Sequence, residues 1–138
     1  MNKPLILAFA LLVFAGCGPK STIKSTNDVR LAGLTQIWTK YQAVNAGEVP
    51  KSLDEFKAFA EERGTFAVHE DLESVGDLFV SDADGQPFVM LFGKEQFKHG
   101  GAKVIAHEAS ATDGKVWIAT YGGAPAQITE SELKNLKK

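Results

Sequence analysis

The side chains of this chain with chemistry to offer are three histidines, a scatter of carboxylates, seven serines and one cysteine. His69-Glu70 and His107-Glu108 each set an imidazole beside a carboxylate, the partners that a metal site or a general base uses. In both pairs, however, the two residues are sequence neighbours, and neighbours on a strand point to opposite faces. His99 stands apart, and no His-x-x-x-His or Cys-x-x-Cys spacing fixes a zinc geometry. The expectation is surface or half-buried histidines and no metal. Asp82 and Asp84 alternate as oxygen ligands do in calcium loops, but a loop of EF-hand type needs a glutamate at its twelfth position, and from Asp82 that is Gly93. Turn chemistry is the expectation there, with Asp side chains bonding local backbone and Gly85 taking positive φ. No serine sits in a Gly-x-Ser-x-Gly elbow, and neither Gly100-Gly101 nor Gly122-Gly123 leads into a helix with Lys-Ser or Lys-Thr. Trp38, Tyr41, Trp117 and Tyr121 have the spacing of core aromatics, with a ligand site as the alternative use. No catalytic residue and no cofactor is assigned.

The cysteine is different. Met1-Asn2-Lys3-Pro4 leads into an apolar run from Leu5 to Ala15, then Gly16-Cys17. One positive charge, a short apolar core and a small residue before a cut are the parts of a secretory signal. Gly18-Pro19-Lys20 ends the run at about half of the roughly 20 residues that a membrane span takes. Phe14-Ala15-Gly16-Cys17 resembles the lipobox of bacterial lipoproteins, in which small residues at −2 and −1 precede an obligatory cysteine; Phe14 departs from the aliphatic residue preferred there. The resemblance implies cleavage between Gly16 and Cys17, lipid on the Cys17 thiol and an acylated new N-terminus. Each buried methylene contributes about 0.8 kcal/mol, so two or three chains anchor stably where one binds marginally. The same resemblance puts Gly18 where enterobacterial lipoproteins kept at the inner membrane carry Asp. Cys17 is the chain's one cysteine, so a lipidated protein has no thiol or disulfide left to stabilise its fold.

The 138 residues give room for one domain after the leader is subtracted, roughly 110–120 residues with one modest core. A formal net charge of −2 with interspersed signs argues against a nucleic-acid partner, which would leave a basic patch. A hydrophobic content of 44% is that of a globular chain. The expected division is a signal peptide at 1–16, a lipidated polar tether at 17–25, and a single domain at 26–138.

What must position any site is a set of helices followed by strands. Thr26, Asn27 or Asp28 can cap a long helix whose stripe reads Val29, Leu31, Leu34, Ile37, Trp38, Tyr41 and Val44, with Arg30 and Thr35 facing elsewhere and Asn45-Ala46-Gly47 as its stop. Val49-Pro50 is extended, and Ser52 with Glu55 forms a capping box for a second helix that buries Leu53, Phe56, Phe59 and Ala60 and ends at Gly64. A helical turn is expected near Asp71–Val75. Thereafter the period falls to two. Strands are expected at Leu78–Val80, Pro87–Phe92, Lys103–Glu108, Val116–Tyr121 and near Ala126–Ile128, with a polar loop at Lys98–Gly101. Thr129 and Glu132 cap a short last helix with Leu133 and Leu136 inward. This is an α+β pattern: a long and a shorter helix packed on a small antiparallel sheet, then a short C-terminal helix.

Asp82-Ala83-Asp84-Gly85-Gln86-Pro87-Phe88 resembles the Asp-Pro-Trp-Gly-x-Pro-Tyr turn and strand of the major pseudopilins of type II secretion, with Ala83 and Asp84 in place of the motif's proline and tryptophan. Lys115 through Gly123, followed by Thr129-Glu130-Ser131-Glu132-Leu133, is similar to small pilin-like proteins of planctomycete-type bacteria. The resemblance spans roughly Asp28 to Leu136 and implies a pilin-like headgroup. It does not carry filament assembly, because the apolar run is short and lies before the expected cut; nor does it carry calcium, because Gly122 to Gln127 holds no carboxylate. The functional expectation is a non-catalytic, lipid-anchored protein of the cell envelope, held to the membrane through Cys17 and acting in structure or contact with an envelope protein. The alternative is a periplasmic lipoprotein that binds a small ligand in a pocket between the first helix and the sheet. A hydrolase using His107 or Glu108 stands third.

Overall fold

The computed structural model describes residues 26–138; the expected leader and tether, with Gly16 and Cys17, lie outside the described residues. Helix α1, Asn27–Val44, buries Leu31, Leu34, Ile37, Trp38 and Tyr41. Val29 and Val44, expected in that stripe, are 37% and 46% exposed, while Asn27, Arg30 and Thr35 are buried. Helical geometry explains the exchange. At about 100° per residue, Val29 falls on the far side from Leu31, whereas Asn27, four residues before Leu31, falls inside the stripe. Helix α2, Leu53–Arg63, starts at Ser52, whose hydroxyl accepts from Glu55 N at 3.2 Å. Glu55 does not close the expected box. Its carboxylate accepts from Lys51 N at 2.8 Å and from the Tyr41 hydroxyl, which joins the start of α2 to α1. Phe56 and Ala60 form its buried face, and Leu53 is exposed.

Between the helices and the sheet the expected local structure is corrected. Of the turn expected around Asp71–Val75, residues 71–74 are not helical; 3-10 turns lie at Thr65–Ala67 and Val75–Phe79, the second starting where the expected one ends. Leu78 and Phe79, read as strand, belong to the second of these. The Asp77 carboxylate accepts from Glu73 N and Ser74 N, which closes the turn and puts Val75, Leu78 and Phe79 together in the core. Val80 keeps only a bridge to Pro87 across the Asp82–Gly85 turn, where Gly85 takes φ +71° as its turn requires.

The sheet is antiparallel. Strands β1 (Val89–Met90), β3 (Ala102–His107), β4 (Lys115–Thr120) and β5 (Ala126–Thr129) lie side by side in that order, and β2 (Lys98–His99) pairs with the start of β3. Lys98-His99, read as loop, is thus one arm of a hairpin turned by Gly100-Gly101. The expected Pro87–Phe92 strand contracts to two residues plus the bond from Leu91 N to Ile105 O. The register of β3 against β4 shifts between Val104 and Ala106. This bulge sends Ile105 and Ala106 together into the core under α1, while Val104 joins the opposite face.

Both faces are covered. On one, α1, α2 and the 3-10 turns pack around Trp38, Phe56 and Phe79; on the other, Val104, Val116, Ile118 and Ile128 meet Leu133 of helix α3, Glu130–Leu136. The Thr129–Glu132 capping box at the start of α3 forms as expected. The α+β class holds, with α1 packed on the sheet. Among the described residues no helix is long and apolar enough to cross a membrane.

Close approach, not positive φ, requires Gly64 at the end of α2, where φ is −95°. An added Cβ there would lie 2.5 Å from Ala60 O and 2.9 Å from Ile37 Cδ1. Gly64→Ala is expected to lower the unfolding free energy by about 1–3 kcal/mol through overpacking. Gly76→Ala, whose added carbon meets only the Ser74 hydroxyl at 3.3 Å, should cost far less in the same urea titration.

Candidate functional site

His107 and Glu108 emerge on opposite sides of the sheet, as the strand period requires. Glu108, 3% exposed, turns towards the start of α1. Its Oε1 accepts from Asn27 Nδ2 and, at 3.2 Å, from the Ser81 hydroxyl; its Oε2 accepts from Trp117 N at 2.7 Å. The Asn27 amide also donates to Ser81 Oγ at 3.0 Å, and its carbonyl accepts from Asp82 N at 2.8 Å. Ala83 N donates to Ser81 Oγ at 3.2 Å. One turn on, Arg30 donates from Nη1 to Asp77 O and Val80 O, at 3.1 and 2.8 Å. The first turn of α1 therefore grips the segment 77–83 and Glu108 through polar bonds, and Glu108 carries the link on to β4 at Trp117.

This polar cluster borders a hollow of about 740 Å³. Asp28, Asp82, Asp113 and Glu108 contribute carboxylates to its lining, with Lys115 and the half-buried Trp117 beside them. The hollow is acid-rich, and the buried hydroxyl of the cluster beside it, Ser81, is engaged by Asn27, Ala83 and Glu108 and has no imidazole within the cluster. Among the described residues no three His, Cys, Asp or Glu side chains converge as metal ligands would. Of the two turn aspartates, Asp84 bonds local backbone as expected, accepting from Gln86 N at 3.0 Å.

His107 is also 3% exposed, which corrects the expectation of surface or half-buried histidines. It lies on the α3 side near Phe97, with ring centroids 6.4 Å apart. Its Nδ1 is 2.6 Å from the Glu108 carbonyl, which can only accept, so Nδ1 carries the proton and Nε2 is left as a bare acceptor. Nε2 is sealed from solvent and has no partner. Burial holds the imidazole pKa below its ordinary value, the carbonyl bond opposes this, and Lys137 adds to the depression. His69 pairs instead with Asp71, and His99 is half-buried on β2. The three histidines are not brought together.

Of the aromatics, Trp38 and Tyr41 are core as expected, Trp117 is half-buried above the acidic hollow, and Tyr121 is exposed. Asn27 and Ser81 are what the sequence reading missed. Asn27 looked like a cap, and Ser81 like one serine among seven. The one signal available was the helical phase that places Asn27 on the buried stripe. Comparison of the chain with protein families, curated proteins and solved structures finds no match.

Two outcomes follow. Glu108→Ala strands donors from Trp117, Asn27 and Ser81, each unsatisfied group costing about 1–3 kcal/mol, so urea unfolding should show a loss of about 3 kcal/mol or more. Glu108→Gln keeps a carbonyl acceptor and should lose less. A Glu108→Ala protein as stable as wild type would remove the structural role. For His107 the unfolded chain binds a proton near pH 6.5, while the folded chain resists it to lower pH. Stability is then full above about pH 6.5 and falls as pH drops from there towards the depressed folded value. The pH dependence of unfolding in His107→Leu should lack that slope.

Proposed function

We propose that this chain is a lipid-anchored, non-catalytic domain of the bacterial cell envelope, held to the membrane through Cys17 and acting by contact with an envelope partner. The observation that carries the reading is the lone Cys17, set after two small residues at the end of an apolar run too short to span. Residues 18–25 then link it to Thr26, where the described domain begins. Eight extended residues reach at most about 30 Å, so the acidic hollow at the start of α1 would lie on the membrane-proximal side of the headgroup. Two features of the domain favour a non-catalytic role. The Ser81 and Glu108 side chains are consumed in tying segments together, and His107 sits across the sheet from them. The order of a long helix and then an antiparallel sheet accords with the pilin-like headgroup to which the sequence is similar.

A periplasmic lipoprotein that binds a small ligand is the second reading. The acidic hollow and a smaller cavity between the later half of α1 and the sheet favour it.

Intact mass of the membrane fraction from cells expressing wild type and Cys17→Ala tests the anchor. The expected result is a mature chain beginning at Cys17 and carrying diacylglyceryl mass, with the variant unable to acquire it. An uncleaved or unlipidated wild-type chain contradicts the reading.

A further inference from the structure

Among the described residues, His107 Nε2 is the only titratable atom sealed from solvent without a partner. The neutral ring tolerates this, because Nδ1 is spent on the Glu108 carbonyl and a bare acceptor forgoes one bond. A protonated ring would not. It adds an N–H and a positive charge at a place where neither water nor an acceptor receives them. The strands on either side offer only Val89 of β1 and Ile118 of β4 opposite His107. Phe97 packs near the ring, and of the β2 residues after it Lys98 is exposed and His99 half-buried. On β3 itself Glu108 turns to the other face. Helix α3 brings the remaining charges: Glu130, Lys134 and Lys137 line a hollow of about 360 Å³ together with His107. Glu130 is spent on Lys134 Nζ at 3.0 Å, and Lys137 opposes a charge on the ring.

Of these neighbours α3 is the one that can move without breaking the sheet. It has seven residues, of which Leu133 alone is buried, with Leu136 half-buried beside it. Its start is tied by the Thr129–Glu132 cap and by Glu130 N, which donates to Gly114 O at 3.1 Å. A short element at the end of a domain, held by so few buried contacts, opens at a lower free energy than the ladder beneath it. Lifting α3 puts water on the His107 side of the sheet and uncovers the apolar residues that Leu133 meets there.

We propose that His107 is an acid-release latch for α3: the neutral ring keeps the helix docked, and the protonated ring is hydrated only with the helix lifted, so that acid exposes the face built on Val104, Val116, Ile118 and Ile128. The docked ring takes a proton only below its ordinary range, because burial and Lys137 disfavour the cation. The released ring, in water, takes it near pH 6.5. Above about pH 6.5 neither form binds the proton, and docking does not depend on pH. Below it the opening constant of α3 rises, by up to tenfold per pH unit, until the docked ring titrates as well. Glu132 acts elsewhere on the scale. Its bonds with Thr129 hold its pKa below the ordinary value, so its protonation loosens the cap only below about pH 4.5. The latch depends on neither the anchor nor a ligand.

The test is native-state hydrogen exchange on the full chain in detergent, at about pH 7.5 and about pH 5.5, corrected for the intrinsic pH dependence of amide exchange. It reads the amides from Leu133 to Leu136 separately from those of the β3–β4 ladder. The expected α3 opening constant exceeds the ladder's at both pH values and is about tenfold larger at the lower one. His107→Leu and His107→Asn both remove the titration, the second keeping a donor for the Glu108 carbonyl, and both leave His99 in place. In either variant α3 should open equally at the two pH values. A wild-type α3 opening that ignores pH, whether or not the ladder's follows it, would place proton uptake outside this step and overturn the latch. An α3 that opens only together with the ladder would remove the independent release. A tenfold rise that survives both substitutions would assign the effect to another group.

Discussion

The Glu108 carboxylate lies where the first turn of α1, the segment after the second 3-10 turn, and strands β3 and β4 converge, and all of its listeners are donors: a side-chain amide, a hydroxyl and a backbone N–H. A carboxylate withdrawn from water costs several kcal/mol unless its oxygens are hydrogen-bonded, so the surrounding geometry must hold all three donors at once. That requirement fixes the angle at which α1 enters the fold. Asn27 can reach Glu108 and Ser81 only if the helix begins beside the end of β3, and Arg30, one turn on, then meets the carbonyls of Asp77 and Val80. Downstream along α1, apolar contacts of Leu31, Leu34 and Trp38 take over.

The sheet separates two environments that adjacent residues of β3 report. Glu108 faces α1 amid donors; His107 faces α3 amid apolar side chains and gives up a hydrogen bond at Nε2. The bulge one residue earlier sets that assignment, because a strand without it would place Ile105 and Ala106 on different faces. The same bulge forms the floor between α1 and β3. One irregularity thereby positions the polar cluster, the buried imidazole and the smaller cavity.

Much of this was legible in the residues. The helical spacing of Leu31 to Tyr41, the Ser52 cap, the Asp82–Gly85 turn and the Thr129–Glu132 box are local signals, and each formed where it was read. The failures have physical causes. Leu78-Phe79-Val80 has strand composition, but the Asp77 cap and burial against α1 put Leu78 and Phe79 in a 3-10 turn and leave Val80 alone extended, and no period separates the two over so few residues. Lys98-His99 is polar and became a strand because Gly100-Gly101 turns it back onto β3. Asn27, Ser81 and Glu108 are 81 residues apart end to end, and no local pattern announces a bond over that distance. The bulge, likewise, is a property of two strands in register and is invisible in either alone.

The central claim is that the Asn27–Ser81–Glu108 cluster is part of the folding unit and not a mobile reactive site. Native-state hydrogen exchange addresses it directly, through the amides of Asp82, Ala83 and Trp117, whose acceptors are the Asn27, Ser81 and Glu108 side chains. The account predicts that these three open with the same free energy as the β3–β4 ladder amides, in one global event. Exchange at the rate of an exposed loop, with the ladder still protected, would contradict it.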